Sequence, residues 1–515
     1  MTRKKRLRES RDEIYIDVKP EEFRSKCLEL HKKLSSPVMM YFAVDERPGK
    51  KAFSVYCAFL DWAGKRWVLV RMQLPEGQAR FESISKDVFS AALFEREMKE
   101  MFGLEPEGNP DLRRLHLHEE VWPEGFYPLR KDFIPPERAQ KAEGSYRFKK
   151  VEGEGIFEVP VGPVHAGIIG PGHFRFSAAG EPVINLEVRL GFTHRGVEKL
   201  FEKMPSAGSD DAVSFSERVS GDSAFAYSTA YCQAIEKIYG IRVPERAQYI
   251  RAIYLELERI YNHANDIGGM AVDVGFTFPN AFASIIKEKT LALNEKISGS
   301  RYLKGVNTVG GVNRDLGGSE RKVLLDFLDG ISKDFRELKR MLLSSISFMD
   351  RADKTGILKK KTAVDLGIVG LAARASGIPM DLRKTFPGVY SAANFKLVRE
   401  EEGDVLARLN VRLREVEESV RLIREFARIM APADISAAKK SAPEAGCGIG
   451  YAEGWRGPVL FWVKTDASGR IERCKIVDPS FHNWQGLCFA VLGNIIPDFP
   501  LCNKSFDLSY PGNDL

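Results

Sequence analysis

Between Leu406 and Ile423 the apolar residues Leu406, Leu409, Leu413, Val416, Val420 and Ile423 recur at alternating spacings of three and four. That rhythm keeps one apolar side chain per turn on one face of an α-helix. It spans fewer than three heptads, too few for an independent coiled coil, and predicts a long helix packed inside a bundle. A second stripe, Tyr249, Ile250, Ile253, Leu257, Ile260 and Tyr261, follows Pro244 and Glu245, which suit a first helical turn. Gly268-Gly269 is expected to end that helix. Upstream the period changes. Ala52 to Leu60 and Trp67 to Leu74 are strand-like and joined by a turn over residues 61–65. Asp87 to Phe102 reads as a helix with Val88, Ala91, Ala92, Phe94 and Met98 on its apolar side and Gly103 as its stop. Trp455 to Ile476 reads as a hairpin turning at residues 466–469. The expected fold class is α+β: an N-terminal α+β domain, then a largely helical domain with peripheral β-strands.

The chain of 515 residues has room for roughly two to four domains. Arg3, Lys4, Lys5, Arg6 and Arg8 make residues 1–20 a basic tail, read as a solvated terminus. Pro135-Pro136 and the charges after them mark a linker, so the divisions are 21–133, a linker at 134–150, and 151–515. A net charge of +6 is slight for this length and gives no reason to expect nucleic acid as a partner. No segment reaches the ~18 apolar residues of a membrane span, and the N-terminus opens with charges, not with a signal sequence. The expected location is cytoplasmic, with any membrane attachment made by partners. None of the seven cysteines forms a Cys-x-x-Cys pair, so no disulfide framework, zinc site or iron–sulfur cradle is expected within the chain. Gly170-Pro171-Gly172 lacks the third glycine of a dinucleotide fingerprint, so no direct NADH site is expected.

Ser220-Gly221-Asp222-Ser223, before an apolar run rich in Ala and Tyr, reads by itself as a helix start with Ser220, Asp222 and Ser223 as capping residues. His194-Arg195 with Glu198 reads as a surface helix start or a buried ion pair. His165, after Gly162-Pro163, reads as a loop residue.

Longer motifs give these residues a second reading. Residues 95–103 (Glu-Arg-Glu-Met-Lys-Glu-Met-Phe-Gly), 108–115 and 128–133 (Pro-Leu-Arg-Lys-Asp-Phe) resemble the 30-kDa subunit of respiratory complex I. From Gly162-Pro163-Val164-His165 onward the chain resembles the 49-kDa subunit and the large subunit of energy-converting nickel-iron hydrogenases. The matching motifs lie at residues 193–199, 244–251, 310–316, 376–384 and 478–484. The fusion of the two parts is similar to the large subunit of formate hydrogenlyase-type complexes. The resemblance implies a peripheral-arm subunit between a small iron–sulfur protein and integral membrane, antiporter-like subunits, with further ferredoxin-like subunits. It implies attachment to the inner face of the cell membrane through those partners.

The hydrogenase pattern places nickel on four cysteines, in Arg-Ile-Cys-Gly-x-Cys and Asp-Pro-Cys-x-x-Cys-x-x-His. Here those four positions are Ser220, Ser223, Ser509 and Gly512, with Leu515 at the histidine. Hydroxyls are poor ligands for a soft metal and glycine offers none, so no metal is expected. The chain also ends at the matching position, so no maturation tail is expected. The quinone pattern of complex I places a tyrosine at Gly221 and two histidines at His165 and Ile169, with His173 four residues beyond. Arg218 matches an arginine beside the terminal cluster, whose histidine partner falls near Leu303. The resemblance therefore marks His165, Arg218, Ser220, Asp222 and Ser223 as catalytic candidates, and His165, His173, Arg195 and Arg218 as facing a quinone or a partner's cluster. It leaves three readings: an oxidoreductase subunit passing electrons from a partner iron–sulfur cluster to a quinone or other small acceptor, a non-catalytic coupling scaffold, or a hydrogenase with unusual ligands. The expected iron–sulfur cluster belongs to the partner, and quinone is the one cofactor that the first reading would bring to this chain.

Overall fold

The computed structural model describes residues 12–135, 142–166, 169–437 and 445–515. The basic residues at positions 3–8 and the middle of the 134–150 linker lie outside that range. The fold is α+β.

The N-terminal sheet has the order Glu13–Asp17, Arg66–Pro75, Ala52–Asp61, Met40–Asp45. The first pair is parallel and the others antiparallel. The expected hairpin is present, in register from Ala52 opposite Pro75 to Asp61 opposite Arg66. Strand Glu13–Asp17 comes from the stretch read as tail, because Tyr15 and Ile16 pack on this sheet's core. The helix expected from Asp87 begins at Ala92, after a 3-10 turn at Phe89–Ala91, and stops at Gly103 with φ 68°. Its charges point inward. Glu95 accepts the Ile84 N–H at 2.9 Å, Glu97 holds Lys475 at 2.6 Å, and Glu100 holds His116 Nδ1 at 2.9 Å.

The helical part is built on Glu245–Asp273, Thr277–Ser298, Gly318–Leu343 and Val405–Ile429. The 405–429 helix is capped by Asp404, which accepts from Ala407 N at 2.7 Å, and is buried on nearly every side against the 245–273 helix and its neighbours. Gly268-Gly269 does not end its helix, which continues to Asp273. The two glycines are points of close approach. A Cβ on Gly268 would sit 2.9 Å from Asn280 Oδ1 and 3.0 Å from Ala283 Cβ, and one on Gly269 2.9 Å from Lys504 Cδ.

Two three-stranded sheets flank the bundle. Ile156–Val161, His173–Ala179 and Val183–Arg189 form one. Gly446–Glu453, Pro458–Thr465 and Ile471–Val477 form the other, which contains the expected hairpin. The second sheet joins the N-terminal one: Trp462 packs 4.8 Å from Phe42 and 5.1 Å from Tyr56 between ring centroids. The N-terminal unit therefore shares its core with the rest of the chain.

Candidate functional site

The segments 218–223 and 509–515 meet at the start of the helix Ala224–Tyr239. Ser220 has extended backbone, φ −140° and ψ 113°, which turns its side chain toward the C-terminal segment. Ser509 opens the short helix Tyr510–Asp514, and its Oγ accepts Gly512 N at 2.9 Å. The two hydroxyls are 2.9 Å apart, so Ser509 donates to Ser220 and Ser220 donates to Asp222 Oδ1 at 2.8 Å. Ser223 donates to the same Asp222 oxygen at 3.1 Å and accepts from Trp455 Nε1 at 3.0 Å. Arg456 Nη2 donates to Asp222 Oδ2 at 2.7 Å while its guanidinium lies 3.8 Å from the centre of the Trp455 ring. Burial pushes the Asp222 carboxyl up, and Arg456 with Ser220 outweighs it, so the group sits below the usual range.

The serines do not cap the following helix, since neither Ser220 nor Ser223 makes a side-chain capping bond. That task falls to Glu258 from the 245–273 helix, which accepts Phe225 N at 2.8 Å and Ala226 N at 3.1 Å. Burial pushes Glu258 up to about 8.

The other candidates are distributed around this knot. Arg195 clamps the two segments together, donating to Arg218 O at 3.0 Å, Val219 O at 2.8 Å and Pro511 O at 3.4 Å. His194 Nδ1 donates to Asp514 O at 2.6 Å, and Asp514 accepts Gly191 N and Thr193 N at 2.9 Å each. Glu198 is buried in an ion pair with Arg473 at 2.8 Å, so the 193–199 motif is an internal polar network. The Arg218 side chain is exposed, and only its carbonyl takes part in the clamp. His165 is half-buried, with Nε2 3.2 Å from the Tyr510 hydroxyl, and burial lowers its pKa. His173 lies apart at the start of its strand, its Nδ1 donating to Gly162 O at 3.4 Å. Burial lowers its pKa also. Ser509 and Tyr510 stand between His165 and the 218–223 turn, Ser509 bonded to Ser220 and Tyr510 to His165.

Sequence reasoning passed over Arg456, Trp455, Glu258 and Tyr510. The first two lie at the head of the 455–476 hairpin, where an arginine beside a tryptophan before Gly457-Pro458 was a readable signal. Glu258 lay unmarked on the polar side of a helix read only for its apolar stripe.

The donor set does not fit nickel. Ser220 and Ser509 satisfy one another, and a Cβ on Gly512 would stand 2.6 Å from Asp478 Oδ2. Among the described residues no group of three or more His, Cys, Asp or Glu side chains could hold a metal ion.

A scan against family models matches residues 16–139 to the 30-kDa subunit and 273–445 to the 49-kDa subunit of respiratory-chain NADH dehydrogenase. Among curated proteins, formate hydrogenlyase subunit 5 of Escherichia coli is 32% identical over 98% of this chain and 90% of its own length. Hydrogenase-4 component G of the same organism is 33% identical over 92% and 83%. An NADH-quinone oxidoreductase subunit of Clostridium beijerinckii is 33% identical over 67% of this chain and 94% of its own length. The chain belongs to the family of complex I- and hydrogenase-related large subunits in which the 30-kDa and 49-kDa units are fused in one polypeptide.

Proposed function

We propose that this chain is the large peripheral-arm subunit of a membrane-associated oxidoreductase, passing electrons from a partner's iron–sulfur cluster to a quinone or another small acceptor, without nickel. The His165–Tyr510 pair supports the acceptor reading most directly. Gly221 stands where the resemblance calls for a tyrosine, and Tyr510 brings a phenol to the histidine from the C-terminal segment instead, at 3.2 Å. An imidazole and a phenol side by side can both hydrogen-bond a carbonyl oxygen and supply a proton as it is reduced. Arg195 and Arg456 hold the adjoining backbone and Asp222 in place. Val164 and Ile169, near His165 in sequence, are 81% and 37% exposed, an apolar edge suited to a membrane subunit. No helix among the described residues is long and apolar enough to cross a membrane, so attachment is assigned to partners on the inner face of the cell membrane. The names of the relatives, as subunits or components of hydrogenase and quinone oxidoreductase assemblies, agree with that placement.

The test uses the assembled complex. Elemental analysis is expected to find no stoichiometric nickel. Tyr510→Phe and His165→Ala are each expected to lower acceptor reduction by about a hundredfold or more, the effect of losing a positioned proton donor, while iron content and subunit composition stay unchanged. Unchanged acceptor reduction in both variants would favour the coupling scaffold. Stoichiometric nickel with hydrogen-dependent dye reduction would favour a hydrogenase.

A further inference from the structure

The helix Ala224–Tyr239 carries sixteen residues between Ser223 and Gly240, and along its later part a cavity of about 520 Å³ opens. Its size falls in the range of small-molecule sites, ~300–1,000 Å³. Its lining begins at Thr229 and runs to Gly240, so with a rise of ~1.5 Å per residue it spans roughly 9 to 25 Å from Ser223 along the helix.

The walls divide by chemistry. One side is apolar and largely aromatic, formed by Leu255, Phe386, Val389 and Tyr451. The other is charged, with Lys237, Arg242, Arg251 and Arg383 outnumbering Glu236 and Glu453. Arg251, 7% exposed, gives its Nη groups to Glu236 at 2.7 and 3.1 Å and to the Thr308 and Gly311 carbonyls. Its Nε is buried and has no hydrogen-bond partner among the described residues. Arg242 at the rim is exposed and has no partner among the described residues. The remaining lining charges are already matched: Lys237 by Asp12 at 2.6 Å, Arg383 by Asp381 at 2.7 Å, and Glu453 by Arg374 at 2.9 Å. A buried N–H left without an acceptor is costly, and an anion here would satisfy it.

We propose that this cavity binds an apolar carboxylate, its hydrocarbon body against Phe386, Val389 and Tyr451 and its anionic group on the side of Arg242 and Arg251. The ligand chemistry is set by pairing the unmatched Arg242 guanidinium and the open Arg251 Nε–H with one apolar wall. A neutral apolar molecule leaves the Arg251 Nε unsatisfied, and a small inorganic anion leaves the aromatic wall in water. The anionic end, at Arg242, lies at the far end of the helix from the acceptor residues, and Thr229 and Glu453, two residues before Trp455, are the wall residues that adjoin them.

The experiment is photo-labelling of the assembled complex with a twelve-carbon carboxylate bearing a diazirine, read by peptide mass spectrometry and not by activity. The expected result is saturable labelling of the peptides around residues 386–390 and 451–453. Labelling falls about tenfold in Arg242→Glu, the scale of one lost charged hydrogen bond, and by a similar factor in Ala252→Trp, which fills the cavity. The matching uncharged diazirine amide labels weakly. Competition by laurate, or instead by 2-naphthoate, assigns the natural ligand to the acyl or the aromatic carboxylates. Because Arg242 is exposed, its variant keeps the fold, which retention in the complex verifies. Labelling that does not saturate, that survives both substitutions, or that occurs on the free chain but is blocked by a partner subunit overturns the proposal.

Discussion

At the scale of single residues, the knot beside the 224–239 helix depends on Arg456. It is buried, stacked on Trp455, and bonded to Asp222 and to the Asp507 carbonyl. Asp222 in turn orders both serines. Replacing Arg456 with Ala leaves Asp222 without its counter-charge. Loss of a charged hydrogen bond costs about 1.5–3 kcal/mol. Arg456→Lys keeps the charge but not the fork that reaches Asp222 and the Asp507 carbonyl together, so it recovers only part of the loss. The check is the urea midpoint of each variant. An Arg456→Ala chain as stable as the parent would show that the net is ornamental. Hydroxyls at two of the cysteine positions are likewise not idle substitutions: Ser220 and Ser509 each have a donor and an acceptor role filled, which a metal-binding thiolate would not need.

At the scale of elements, the long helices were legible because their signal is local. The 406–423 stripe reappears as a helix over Val405–Ile429, and the 455–476 hairpin pairs as expected. Legibility failed where tertiary contact overrides local preference. Gly268-Gly269 reads as a stop by composition, yet the helix needs those glycines to let the 277–298 helix and Lys504 approach. Likewise Ser220 and Ser223 read as caps, yet the orphan N–H groups go to Glu258, a residue 32 to 33 positions away that no local pattern could nominate. The meeting of Ser220 with Ser509 was readable only through the paired motif of the resemblance. Arg456 and Tyr510, which complete the site, belong to segments read for strand and terminus alone. Close approach at Gly268 can be tested directly. Gly268→Val must displace Asn280 or Ala283 and should destabilise the chain by about 1–3 kcal/mol through overpacking. Gly268→Ala should cost less, although a single added methyl already meets Asn280 Oδ1 at 2.9 Å. A stabilised Gly268→Ala chain, as helix propensity alone would give, would contradict the packing account.

At the scale of the whole molecule, the shared core buries titratable groups that link stability to pH. His116 is buried, but Glu100 beside it, with Asp514 and Glu97, holds its pKa up at about 9 from an ordinary 6.5. A base whose pKa is raised on folding contributes stability that is complete below 6.5 and is lost as pH rises toward 9. Burial raises Glu258 to about 8, and Glu217 and Glu453 each to about 7. A carboxyl raised on folding also loses stability with rising pH, from its unfolded value of 4.5 up to the folded one. Above pH 6.5 these four groups therefore act in the same direction. His263 and His482, both lowered to about 4 by burial, act in the opposite direction, but only below 6.5, where they largely offset the three carboxyls. Between pH 7 and pH 9 His116 contributes across two units and Glu258 across one, at ~1.4 kcal/mol per unit each, a combined loss of about 4 kcal/mol. Urea midpoints at pH 7, 8 and 9 are expected to fall steadily. His116→Gln should flatten the whole range, and Glu258→Gln only the part below pH 8. A midpoint that holds constant or rises between pH 8 and pH 9, where His116 alone of the four still titrates, would mean that the His116–Glu100 pair is not charged in the folded chain.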